Sequence, residues 1–258
     1  ENEFKLSVDK STLRHFPVTK NNLYNLVLKS LTEYRRENSN ENKVKSLLEQ
    51  YEILFSMSLL KQAEGVLKRA KKIARENELF MELNSIVNRE RTLARYMLDA
   101  EGYSRVVDRV HNEQTQNLER LKNLADMNDL GSRITLLLQK YPTSKTRDEA
   151  GVKERDDIFS NPLMSDESKM LSSTTLKRFY NFNVILSEWS GDNEASLGFA
   201  KKYADEVEKA VTNNRATLHE FIISQYSVLT SSVRTHKMDI YETAYTRLAD
   251  FQSRFPWA

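Results

Sequence analysis

SEWSGDNEASLGFAKKYA, residues Ser187–Ala204, contains two of the six glycines of a 258-residue chain. It lies between two runs whose apolar residues recur at helical spacing. A helix commonly ends on a left-handed residue, a conformation glycine adopts at no steric cost. Gly191 therefore reads as the end of one helix and Asp192 as the cap of the next. The stretch is the corner of a helical hairpin.

Six glycines and four prolines are few for this length, so breaks are rare, helices are long and an all-α protein is expected. Lys+Arg (39) and Asp+Glu (37) nearly cancel, leaving a formal charge of +2. That balance creates no global field to attract nucleic acid or an anionic membrane, so partners must be argued locally. The absence of cysteine excludes disulfides, thiolate metal sites and cysteine nucleophiles. No apolar run approaches the ~18 residues of a membrane span, and the N-terminus lacks a signal-peptide core. Cytoplasm is the default expectation, weakened because a chain beginning without Met is expected to be trimmed or an excerpt.

Along the chain, a short helix at Ser7–His15 is expected to break at Phe16-Pro17-Val18-Thr19 and be followed by a helix to Arg36. Its Leu23, Val27, Leu31 and Tyr34 would face the core. Lys43–Ser58 and Lys61–Arg75 should form a hairpin turning near Ser58, with Ala63, Val66, Leu67, Ala70, Ile73 and Ala74 on one arc of the second helix. Further helices are predicted at Glu78–Asp99, Ser104–Met127 and Asp129–Tyr141. Residues 142–169 are polar and hold two prolines, so they read as a linker with at most one short helix. Helical hairpins resume from Met170, and the aromatic-rich Phe251–Ala258 reads as a cap over the last pair. Residues 1–141 and 170–258 are thus the expected helical regions.

Three hairpins share a pattern in their second helices: Ala63, Leu67, Ala70; Ser196, Ala200, Tyr203; and Ala244, Leu248, Phe251. This resembles the tetratricopeptide repeat, in which a small residue lets paired helices approach closely. The repeat's Leu-Gly pair and closing proline are missing, and the anchors are unevenly spaced. Val18–Leu31, Arg69–Ala74 and Asn161–Met164 resemble an uncharacterised bacterial family with tetratricopeptide-like helices. The resemblance implies a right-handed array of antiparallel helical hairpins, a degenerate tetratricopeptide-like α-solenoid. It implies no known activity.

In such scaffolds ligands lie along the face made by the first helix of each hairpin. Carried over, that face gives Lys45, Glu49 and Glu52; Arg178, Asn181, Ile185, Glu188 and Trp189; and Tyr226, Thr230 and Val233. Ile185 stands where a carboxylate-clamping set needs a polar group, which disfavours an adaptor for chaperone tails. Buried packing for the aromatics and simple solvation for the charges are the competing readings. Lys61, Lys68, Lys72 and Arg75 form a basic ridge, the best site for nucleic acid or an acidic partner, although no aromatics interleave with it. A helix-turn-helix reading of Lys20, Asn21, Asn22 and Asn25 is weaker. His15, His111, His219 and His236 are dispersed, and neither a phosphate loop nor a nucleophile elbow occurs. The sequence therefore points to a non-catalytic scaffold for a peptide or protein, without cofactor, metal or membrane association. A nucleic-acid-associated regulator is the alternative.

Overall fold

The computed structural model describes residues 10–142, 149–212 and 218–254. Among these are eleven α-helices, one 3-10 turn and no strand. The chain forms two compact units, Glu1–Ile73 and Ala74–Ala258.

In the first unit, α1 spans Lys10–Asn38 with Pro17 inside it. The expected break at Phe16-Pro17 is absent, as is the turn that a helix-turn-helix would need. An interior proline costs about 3 kcal/mol, and the helix nevertheless continues through Pro17 to Asn38. The predicted core face of α1 is also corrected: Leu23, Val27 and Leu31 are all exposed. Periodicity marked an apolar stripe, but no partner among the described residues covers it. The side chain of Tyr34 lies outside the described residues, as do residues 7–9 of the expected first helix.

α2 (Asn40–Ser56) begins at Ser39, whose side chain accepts from the Asn42 amide, and α3 (Leu60–Glu76) follows a tight corner. The predicted arc of α3 is buried at Ala63, Val66, Leu67, Ala70 and Ala74, as are Val44 and Tyr51 of α2. Ser58 makes the corner at φ 59°. Its amide donates to Phe55 O and that of Leu59 to Leu54 O, the paired bonds of a Schellman motif.

The second unit repeats this corner three times. Glu78 (φ 54°) leads into α4 (Phe80–Met97), Gly191 (φ 82°) joins α8 (Ser173–Ser190) to α9 (Asn193–Thr212), and His236 (φ 57°) joins α10 (Leu218–Arg234) to α11 (Met238–Arg254). Each has the same pair of backbone bonds: Glu78 to Arg75 O and Leu79 to Ala74 O; Gly191 to Glu188 O and Asp192 to Ser187 O; His236 to Val233 O and Lys237 to Ser232 O. Glycine is therefore one of four solutions here, and the other three hold an L-residue in a conformation that costs roughly 1–2 kcal/mol.

α5 is a single helix, Ala100–Lys140, running through the predicted break at Met127-Asn128-Asp129. Asp99 caps it by accepting from the Gly102 amide at 2.8 Å. Its first half packs on α4 and its second on α8 and α6 (Glu149–Phe159). Asparagine and aspartate lower helix propensity only by tenths of a kcal/mol, whereas Met127, Leu130, Ile134 and Leu137 are all in the core. Each such side chain contributes about 1.5–3 kcal/mol on burial, so packing keeps the helix continuous.

The expected linker is largely structured. α6, α7 (Pro162–Ser165) and a 3-10 turn (Glu167–Lys169) occupy its described part, and Ile158 and Met164 join the same core as Phe179, Leu186, Trp189, Tyr203 and Phe221. Buried Asn123 pins the exit of this segment: its amide donates to Lys169 O and its oxygen accepts from the Leu171 amide, both at 3.1 Å. From α8 to α11 each helix packs on its sequence neighbours. Ser196 and Ala244, the small residues that should permit close approach, are buried, and Ser196 Oγ meets Ser231 Oγ at 2.9 Å. Of the proposed cap, Phe251 stacks on Phe221 with ring centroids 4.2 Å apart; residues 255–258 lie outside the described residues.

Candidate peptide groove between α5 and α8

The start of α8 is fixed from two sides. Ser172 and Thr175 form a reciprocal capping box. The Glu78 carboxylate, delivered by its left-handed corner, accepts from the Ser173 amide (2.8 Å), the Thr174 amide (3.0 Å) and Thr174 Oγ1 (2.7 Å). A carboxylate at a helix N-terminus satisfies otherwise unpaired donors and the positive end of the dipole.

With α8 so anchored, Thr174, Lys177, Arg178 and Asn181 fall on one face at i, i+3, i+4 and i+7. α5 offers Asn128, Gly131, Ser132 and Thr135 at the same spacing. These eight residues, with Phe182, Tyr203 and Glu220, line a groove of about 460 Å³. Gly131 allows the two helices to meet, because a Cβ there would lie 2.7 Å from Phe182 Cζ.

The two walls differ chemically. Ser132 Oγ donates to Asn128 O at 3.0 Å and Thr135 Oγ1 to Gly131 O at 2.9 Å. Their hydroxyl protons are thereby used and their oxygens remain acceptors. The α8 wall supplies donors in Arg178 and Asn181. Lys177, 5% exposed, is held by Glu220 at 3.0 Å, so its charge is neutralised within the wall. Burial draws Arg178 below its ordinary pKa and Glu220 opposes that pull. Burial, then the Glu220 charge, pushes the Tyr203 phenol up to about 12, so this hydroxyl keeps its proton.

Of the sequence candidates, the groove brings together Arg178 and Asn181 only. Trp189 is not a groove anchor: it is 7% exposed within the core, and its Nε1 donates to Tyr141 O at 2.9 Å. Glu188 pairs with Arg234 at 2.8 Å, Tyr226 is exposed on α10, and Thr230 bonds back to Tyr226 O. Glu49 and Glu52 are exposed on α2 in the other unit, where Lys45 pairs with Glu41. On the basic ridge, Lys68 pairs with Glu64 at 2.6 Å and Arg75 with Glu113 at 2.6 Å, while Lys61 and Lys72 are exposed. Sequence reasoning missed Gly131, Phe182 and the Lys177–Glu220 pair. Gly131 carried a signal, since a glycine within a helical pattern and away from any turn marks a close approach.

Among the described residues no group of three or more His, Asp or Glu is placed to hold a metal ion, and no helix is long and apolar enough to cross a membrane. Compared with family models, curated proteins and solved structures, the chain matches none.

Proposed function

We propose that this protein is a non-catalytic scaffold of tetratricopeptide-like hairpins that binds a peptide segment of a protein partner along the α5–α8 groove. The observation that carries the reading is that the groove sets hydroxyl acceptors on α5 at Ser132 and Thr135 across from the Arg178 donors on α8, with the Asn128 and Asn181 amides able to donate and accept on either side. A peptide backbone offers both N–H and C=O groups and can satisfy both walls. A phosphate chain offers acceptors alone and leaves the Ser132 and Thr135 oxygens without a donor. Phe182 adds an apolar surface where the helices converge, suited to a ligand side chain. The right-handed array belongs to the same proposal, supported by the neighbour-on-neighbour packing of α8 to α11 and the buried small residues of their second helices.

Selection of a displayed random-peptide library on the immobilised protein tests the reading. Peptides should emerge whose affinity falls at least tenfold with Arg178→Ala or Asn181→Ala and stays unchanged with Tyr226→Ala. Selected peptides indifferent to both groove substitutions would overturn it.

A further inference from the structure

A second concavity lies between α4 and α5, at the end of α3, with a volume of about 740 Å³. Arg75, Arg109 and Arg120 line it with Glu113, above Phe80 and Leu83. We infer that this cleft is an oxyanion site that takes a phosphorylated or carboxylate side chain of a peptide. It shares no residue with the α5–α8 groove, so it stands or falls independently of that site.

Three guanidinium groups converge on one cavity against a single lining carboxylate, in a chain whose total charge is only +2. Local positive charge is thus concentrated where the surface is concave. Each arginine is held in place: Arg75 by Glu113 at 2.6 Å, Arg109 by Glu90 at 3.5 Å, and Arg120 over the Phe80 ring at 5.6 Å. A guanidinium carries five N–H donors in a fixed fork, so a group positioned by one contact still presents others to a bidentate oxyanion. Asn117 also lines the cleft; it is 1% exposed and its amide nitrogen has no hydrogen-bond partner among the described residues.

The chemistry favours one discrete anionic group over a nucleic-acid strand. Glu113 pairs with Arg75 and Glu90 with Arg109, so the positive charge is confined to one concave spot and gives no continuous basic track for a run of phosphates. Phe80 is 6% exposed beneath Arg120 and offers no face on which a base can stack.

The test is NMR of the full chain with ¹⁵N-labelled arginine, titrated with N-acetyl-phosphoserine amide, N-acetyl-glutamate amide, N-acetyl-serine amide and a thymidine hexanucleotide. Saturable shifts of the Arg75, Arg109 and Arg120 Nε–Hε signals are expected with phosphoserine or glutamate and not with serine; the stronger of the two identifies the source of the oxyanion. Arg120→Gln should weaken that binding at least tenfold while the Arg178 signal and the melting temperature hold. Arg109→Gln provides a second variant if Arg120→Gln unfolds. Shifts that fail to saturate, that spread equally to Arg178 and Arg234, or that are largest with the oligonucleotide would overturn the assignment.

Discussion

Three helix corners are made by residues that pay a steric penalty for their left-handed conformation, and their side chains separate the reasons for it. Ser58 and His236 are exposed. Replacing either by glycine should stabilise the protein by about 1 kcal/mol, read as a shift in denaturant midpoint. Glu78 sits in the same geometry, but its carboxylate accepts three hydrogen bonds at the start of α8. Glu78→Gly should therefore destabilise by about 1–2 kcal/mol despite relieving the backbone. A Cβ at Gly191 would meet no described residue within 4 Å, so Gly191→Ala tests the backbone strain alone, with an expected loss of about 1–2 kcal/mol. A further contrast concerns burial on α3. Ala63 is fully buried and Lys68 is exposed, so Ala63→Arg should cost at least about 1–3 kcal/mol and Lys68→Ala little. Equal melting temperatures for that pair would contradict the orientation of α3.

At the scale of elements, the groove depends on how closely α5 approaches α8. Gly131→Ala places a methyl group against the Phe182 ring and should destabilise by about 1–3 kcal/mol, with Phe182→Leu restoring part of the loss in a double-mutant cycle. Helix identity and the buried arcs of α3, α9 and α11 were legible in the sequence because small and apolar residues recur at helical spacing there. Continuity was not. Pro17 and Met127-Asn128-Asp129 read as breaks because local propensity favours breaking; at the second, the core contacts of Met127 and Leu130 override it. The linker reading allowed at most one short helix, and the extent of α6 and α7 was hidden for the opposite reason: a polar stretch conceals the few side chains, Ile158 and Met164 among them, that fasten it to the core. Trp189 shows the same limit for the site, since periodicity can place an indole on a helix face without indicating that Tyr141 O already accepts its proton.

At the scale of the second unit, one of its core clusters runs from the second half of α5 to α10, and two phenols within it confer a pH dependence. Tyr180 and Tyr203 are each pushed up to about 12, chiefly by burial, with carboxylates at Glu167 and Glu220 adding to the shift. Because the fold favours the neutral phenols, their contribution is complete below the ordinary value near 10 and is lost as the pH rises from about 10 towards 12. Urea midpoints should fall across that window, and Tyr203→Phe should flatten the fall. The same core positions Arg178 and Asn181 of α8 opposite Ser132 and Thr135 of α5, and the proposed function rests on that juxtaposition of donors and acceptors. The most direct measurement is photocrosslinking: a peptide selected on the protein, carrying one benzoylphenylalanine, is irradiated in the complex and its adducts are mapped by mass spectrometry. The account predicts saturable adducts within residues 128–135 and 174–182, lost when unlabelled peptide competes. Adducts concentrated on α10 or α11, with none on those two segments, would contradict it.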